Sequence, residues 1–138
     1  MFIFIKIEPV KNAKVVGCGS FHSLVVIGGD LGGLFTCGLN NYGQLGIGSI
    51  ETEYLLSKVS LPLSSESIVS VKGGMHHSLV LSSHGKVFAF GRGDSCQLGI
   101  ASMSQAGGGQ AGECSTVPLY VPLPDPKAEV VDISCGGF

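Results

Sequence analysis

Val16-Gly17-Cys18-Gly19-Ser20-Phe21-His22-Ser23-Leu24 returns 55 residues later as Val71-Lys72-Gly73-Gly74-Met75-His76-His77-Ser78-Leu79, and Ile133-Ser134-Cys135-Gly136-Gly137-Phe138 opens the phrase a third time. A second phrase follows each full copy: Gly38-Leu39-Asn40-Asn41-Tyr42-Gly43-Gln44-Leu45-Gly46, then Gly91-Arg92-Gly93-Asp94-Ser95-Cys96-Gln97-Leu98-Gly99. Two phrases recurring in one order define a repeat. Its spacing lies near that of propeller blades and above that of most helical solenoids.

Strand texture fills the unit. Ser23-Leu24-Val25-Val26-Ile27, Ser78-Leu79-Val80-Leu81 and Lys86-Val87-Phe88-Ala89-Phe90 are short apolar or alternating runs rich in β-branched and aromatic residues. Gly28-Gly29-Asp30-Leu31-Gly32-Gly33 and Ser82-Ser83-His84-Gly85 follow the first two runs and suit tight hairpins. No window carries a helical period, and the 22 glycines would each cost a helix interior about 1 kcal/mol relative to alanine. The prediction is an all-β fold.

A chain with 44% hydrophobic and only 13% charged residues has the material for a core. Its net charge of −2, with lysines and arginines scattered, excludes the basic patch of an autonomous nucleic-acid binder. Met1-Phe2-Ile3-Phe4-Ile5 is too short for a signal-peptide core or a membrane span and reads as a leading strand or cut end. The five cysteines are odd in number and include no Cys-x-x-Cys pair, which predicts small buried hydrophobes in a reducing compartment rather than disulfides or a metal site. His76, His77 and a cysteine lack the local ligand pair of a zinc site. Gly28 to Gly33 has the look of a dinucleotide loop, but no helix or acidic ribose partner follows. No nucleophile and base pair suggests an enzyme.

The Cys-Gly or Gly-Gly turn, the His-Ser-Leu, the hairpin and the Gly-x-Asn-x-x-Gly-Gln-Leu-Gly turn together resemble the regulator-of-chromosome-condensation repeat family, from about Val15 to Phe138. Gly38-Leu39-Asn40-Asn41-Tyr42, Gly73-Gly74-Met75-His76-His77, Gly85-Lys86 and Gly91-Arg92 are similar to its founding branch, the chromatin-bound guanine-nucleotide exchange factors for the small G protein Ran. Cys96 departs from the repeat's glycine, and Cys37 and Phe90 stand where it often has tryptophan. The resemblance implies a seven-bladed β-propeller, of which this chain would supply an incomplete part: about two four-stranded blades and the start of a third. The expected division is 1–12 as a leading segment, 13–67 and 68–129 as two repeats with a Gly-rich surface loop at 101–112, and 130–138 as the opening of another. Such a stretch reads as a piece of a longer protein, with apolar blade faces uncovered.

The motif glycines Gly19, Gly74, Gly38, Gly91, Gly46 and Gly99 are expected in turn conformations closed to other residues. Gln44 and Gln97 are expected to bond backbone groups in their turns. His22 and His77 fall at one repeat position, which favours a structural hydrogen bond. The resemblance adds a second role: in exchange-factor members, histidines at this position and loop aspartates line the face that meets the G protein, which puts His76, His77, Asp94 and His22 forward as partner-binding residues. It implies a Ran-type G protein as partner, chromatin contact through other parts of the parent, a nuclear in preference to a cytoplasmic location, and neither cofactor, membrane nor small-molecule substrate. The alternative is a propeller interaction module that recruits substrates to a ubiquitin ligase or scaffolds other partners. The exchange wedge of the family has no counterpart here, so this stretch alone is expected to be inactive.

Overall fold

The computed structural model describes residues 12–30, 32–100 and 114–137. The expected leading strand at Met1–Ile5 and the Gly-rich loop at 101–112 lie outside them. Eight strands follow in chain order: β1 (Ala13–Cys18), β2 (His22–Ile27), β3 (Gly33–Gly38), β4 (Glu53–Lys58), β5 (Ile68–Gly73), β6 (His77–Ser82), β7 (Val87–Arg92) and β8 (Cys114–Tyr120). They form two four-stranded antiparallel sheets, ordered β1-β2-β3-β4 and β5-β6-β7-β8, with no helix among the described residues. Two neighbouring up-and-down sheets of this kind are blades of an incomplete β-propeller.

The repeat is visible in the register. His22 pairs with Gly38 and Ser23 with Cys37 in the first sheet; His77 pairs with Gly91 and Ser78 with Phe90 in the second. Both β1–β2 and β5–β6 slip at their first residues, between Ala13 and Val15 and between Ile68 and Ser70. Like phrases therefore fold alike.

The core lies between the sheets. Leu24, Val26, Leu34 and Val59 from the first meet Val71, Val80, Phe88 and Phe90 from the second. β2 buries alternate residues, as a strand with one face on this core must, whereas β7 is buried along nearly its whole length. β4 and β8 are outer edges. Pro118 sits in β8, whose unpaired side tolerates a missing amide donor. The third opening phrase runs beside the second sheet: Val130 N donates to Gly85 O, and the carbonyl of Gly136 lies against Gly74 as that of Gly74 lies against Gly19.

Two expectations need correction. Gly38, Gly46, Gly91 and Gly99 do have positive φ, but Gly19 and Gly74 do not. A Cβ on Gly19 would stand 2.2 Å from His22 Cε1, and one on Gly74 2.1 Å from His77 Cε1, so these two glycines make room for an imidazole. The cysteines also divide. Cys37 is buried and Cys114 and Cys135 half-buried, but Cys18 and Cys96 are exposed, Cys18 at the end of β1 and Cys96 in a turn.

Cys96 takes φ 63° at the place where the first sheet has Gly43 at 79°, and both turns close with the same pair of backbone bonds. A left-handed conformation costs a residue with a Cβ about 1 kcal/mol or somewhat more. Cys96→Gly should therefore raise stability by up to about 1 kcal/mol, read as a higher urea midpoint; a lower midpoint would mean the thiol contributes packing that outweighs the strain.

Candidate functional site

Each copy of the repeated phrase builds the same turn. Gly19 N donates to His22 O at 2.8 Å and Gly74 N to His77 O at 2.9 Å, which folds the imidazole back over the glycine. The histidine then reaches the next sheet. His22 Nε2 lies 2.8 Å from Ser78 Oγ, and that hydroxyl donates to Gln44 O at 2.7 Å. A serine hydroxyl has one proton to give, so His22 Nε2 is the donor to Ser78 and its Nδ1 is left bare. Nδ1 of His22 is buried without a hydrogen-bond partner among the described residues.

Burial, reinforced by the nearby His77 and His76, pulls the His22 pKa down to about 4. His77 is lowered by burial and then by His76, and His76 by burial and then by Arg92. All three imidazoles are neutral at pH 7. His22 and His77 are each only 4% exposed.

The second phrase supplies the neighbouring turns. Gln44 Oε1 accepts from Tyr42 N at 2.9 Å and Gln97 Oε1 from Ser95 N at 2.8 Å, the backbone role expected of both glutamines. Asn40, fully buried, donates to Ser49 O and Glu51 O and accepts from Leu45 N. This network fixes Tyr42 at the boundary between the sheets.

There the half-buried His76 ring stacks on exposed Phe21, 6.0 Å between centroids with planes 20° apart, and meets Tyr42 at 4.9 Å. The Arg92 guanidinium lies 5.0 Å from the Tyr42 centroid, within cation–π range. Arg92 also donates twice to Asp94, Nε to Oδ1 at 2.8 Å and Nη2 to Oδ2 at 2.7 Å, and its backbone N donates to His76 O. The Arg92 bonds hold the Asp94 carboxyl below its usual range.

The four residues put forward from sequence thus divide into two layers. His76 and Asp94 lie at one end of the strands in an aromatic and charged cluster, while His22 and His77 are buried beneath it. Phe21, Tyr42 and Arg92 complete the cluster and were not among the residues put forward as contacts. The signal was present: each sits inside one of the two repeated phrases, next to a motif histidine or glycine. Chemically, the cluster offers stacking surface, an imidazole that is a neutral donor and acceptor, and a carboxylate already oriented by an arginine.

The sequence matches the family described as "Regulator of chromosome condensation (RCC1) repeat" over residues 32–81 and 84–138. Each matched stretch starts in one sheet and ends beyond it, the first running from β3 into β6. Over 126 residues the chain is 34% identical to the Ultraviolet-B receptor UVR8 of Arabidopsis thaliana, covering 91% of this chain and 26% of that protein. Over 119 residues it is 35% identical to the human probable E3 ubiquitin-protein ligase HERC6, covering 81% of this chain and 11% of the ligase. The fold is similar to that of Prp20p from Saccharomyces cerevisiae, a protein described with its binding properties to Gsp1p and histones, with a TM-score of 0.71 at 23% identity over 92% of this chain and 30% of Prp20p. The chain therefore spans less than a third of each of these proteins.

Proposed function

Because the chain belongs to the regulator of chromosome condensation (RCC1) repeat family, we propose that it forms part of a guanine-nucleotide exchange factor for a Ran-type small G protein, acting in the nucleus. The observation that carries this reading is the cluster of Phe21, His76, Tyr42, Arg92 and Asp94 at one end of both sheets. The fold shared with Prp20p, which was examined with Gsp1p, supports it. Residues 13–67 and 68–129 would be two blades of the parent, and 130–138 the start of a third.

In this reading His76 and Asp94 contact the G protein, while His77 and His22 hold the turns that present them. An exchange factor works by linkage. It binds the nucleotide-free G protein more tightly than the loaded one, and that difference in affinity speeds nucleotide loss. Chromatin contact belongs to other parts of the parent, since these residues carry a net charge of −2.

In the full-length parent, His76→Ala and Asp94→Ala should slow fluorescent-nucleotide release about tenfold, equivalent to about 1.4 kcal/mol, at an unchanged melting temperature. His77→Ala should lower the melting temperature, because it removes a buried ring. Normal release by folded His76→Ala and Asp94→Ala proteins would take these residues out of the contact. The likeness to HERC6 favours a second reading, a module that recruits substrates for ubiquitin transfer. It gains if the same variants lose binding to a ligase substrate and keep nucleotide release.

A further inference from the structure

The outer strands of the two sheets fold alike and are finished differently. In β4 Ser57 pairs with Thr36 and Glu53 with Gly38; in β8 Leu119 pairs with Ala89 and Ser115 with Gly91, with the same irregularity between the two pairs. Thr116 is therefore matched to Tyr54, Val117 to Leu55 and Pro118 to Leu56. Val59 N donates to Leu34 O at 2.9 Å. By strand alternation Ser57 and Leu55 then turn their backbone groups toward β3, while Leu56 and Tyr54 turn theirs outward.

β8 closes that outward edge twice. Pro118 has no amide to present, and Thr116 O accepts from Gly48 N at 2.8 Å. β4 does neither. Leu56 keeps its N–H, and Tyr54 and Leu56 have no backbone partner among the described residues. The open edge is also apolar, since Tyr54 and Leu55 are both exposed. An edge strand with free backbone groups, exposed apolar side chains and no proline is a template for another strand.

The sequence of this edge selects the strand it fits. Glu51 and Glu53 precede the apolar Tyr54-Leu55-Leu56, and Lys58 follows it. Parallel pairing of two copies would set like charges side by side. Antiparallel pairing about a two-fold axis at Leu55 sets the acidic end of each copy beside the lysine end of the other. In that register Leu55 opposes Leu55 of the second copy, and Tyr54 opposes Leu56 twice. Both members of those two pairs turn their backbone outward, so each pair can exchange both N–H···O bonds. A slip of one residue would oppose an outward residue to an inward one and lose them.

We propose that β4 is a self-association edge, to which a second copy of this chain adds its own β4 antiparallel, joining two four-stranded sheets into one of eight strands. The proposal does not rest on the G-protein reading: Phe21, Tyr42, His76, Arg92 and Asp94 all lie outside β4, and the test needs no G protein.

Sedimentation velocity on the whole 138-residue chain should show a monomer–dimer equilibrium with Kd on the order of 10 μM. Leu55→Lys places two ammonium groups at the axis, and Leu56→Pro gives β4 the protection that β8 has. Each should raise Kd at least tenfold at an unchanged melting temperature of the dilute protein. An equimolar mixture of Leu55→Lys and Leu55→Glu should recover the dimer, because the axis sets the two substituted positions opposite each other. Val117→Lys, the matched change on β8, should leave it intact. An unaltered chain that stays monomeric at about 100 μM overturns the proposal without any variant. So does undiminished association of a folded Leu55→Lys or Leu56→Pro protein, which would move the contact to another surface.

Discussion

Replacing Phe90 by alanine should lower the stability of this chain by about 3–5 kcal/mol, the cost of removing a fully buried aromatic ring and leaving the space behind it. Phe90 is completely buried in β7 and belongs to the core shared by the two sheets. Its ring lies on Gly46 of the first sheet's loop, where an added Cβ would stand 2.8 Å from Cδ2 and Cε2 and where φ is 68°. The same loop is tied to β8 through Gly48 N to Thr116 O at 2.8 Å. Losing the ring thus empties core volume and unseats the loop that carries Tyr42 and Gln44. Phe21 provides the control. It is 57% exposed, so Phe21→Ala should change stability by no more than about 0.5 kcal/mol. Urea denaturation of the two variants beside the unaltered chain reads the contrast. Equal midpoints for Phe90→Ala and Phe21→Ala would mean that the two sheets do not share a core in solution.

Much of this arrangement can be read before any coordinates, because repetition turns a weak local signal into a strong one. The His-Ser-Leu runs became β2 and β6, Lys86–Phe90 became most of β7, and both glutamines bond their own turns as their spacing implied. β4 and β8 carried no such signal. Glu53–Lys58 is an outer edge with Tyr54 79% and Leu55 75% exposed, so burial imposes no alternation on it. β8 follows the glycine-rich stretch and contains a proline. The reason for Gly19 and Gly74 was misread for a different cause: a sequence shows that a Cβ is excluded but not whether the backbone or a neighbouring imidazole excludes it. The cluster was hardest to see. Phe21, His76 and Arg92 come from the ends of different strands and Tyr42 from the β3–β4 loop, and the packing of one sheet on the next brings them together.

That packing has a titration built into it, which sets the pH range over which the two sheets should stay joined. The His22 pKa falls from 6.5 to about 4 on folding, chiefly through burial and also through His77 and His76. The unfolded chain therefore binds the proton more readily than the folded one. Stability from this group is complete above pH 6.5, declines as the pH falls toward 4, and is flat below that. A depression of this size corresponds to roughly 3 kcal/mol over the window. His77 and His76 are shifted in the same direction and add to the slope. Glu66, held down by Lys86, and Asp94, held down by Arg92, lose their contributions under more acid conditions, from the ordinary carboxylate range downward. The interval from pH 6.5 to 4.5 thus belongs to the histidines. Urea midpoints measured at intervals between pH 7.5 and 4.5 should fall steadily below pH 6.5. Protonation acts on the joint itself, because it places a charge on a ring that is buried between the sheets. His22→Gln keeps an N–H donor for Ser78 but cannot titrate, so it should lower stability at pH 7.5 and flatten the decline between pH 6.5 and 4.5. A His22→Gln protein that loses stability with acid as steeply as the unaltered chain would move the titration to His77 or His76, and a midpoint that does not change from pH 7.5 to 4.5 would mean that no histidine here is buried in its neutral form.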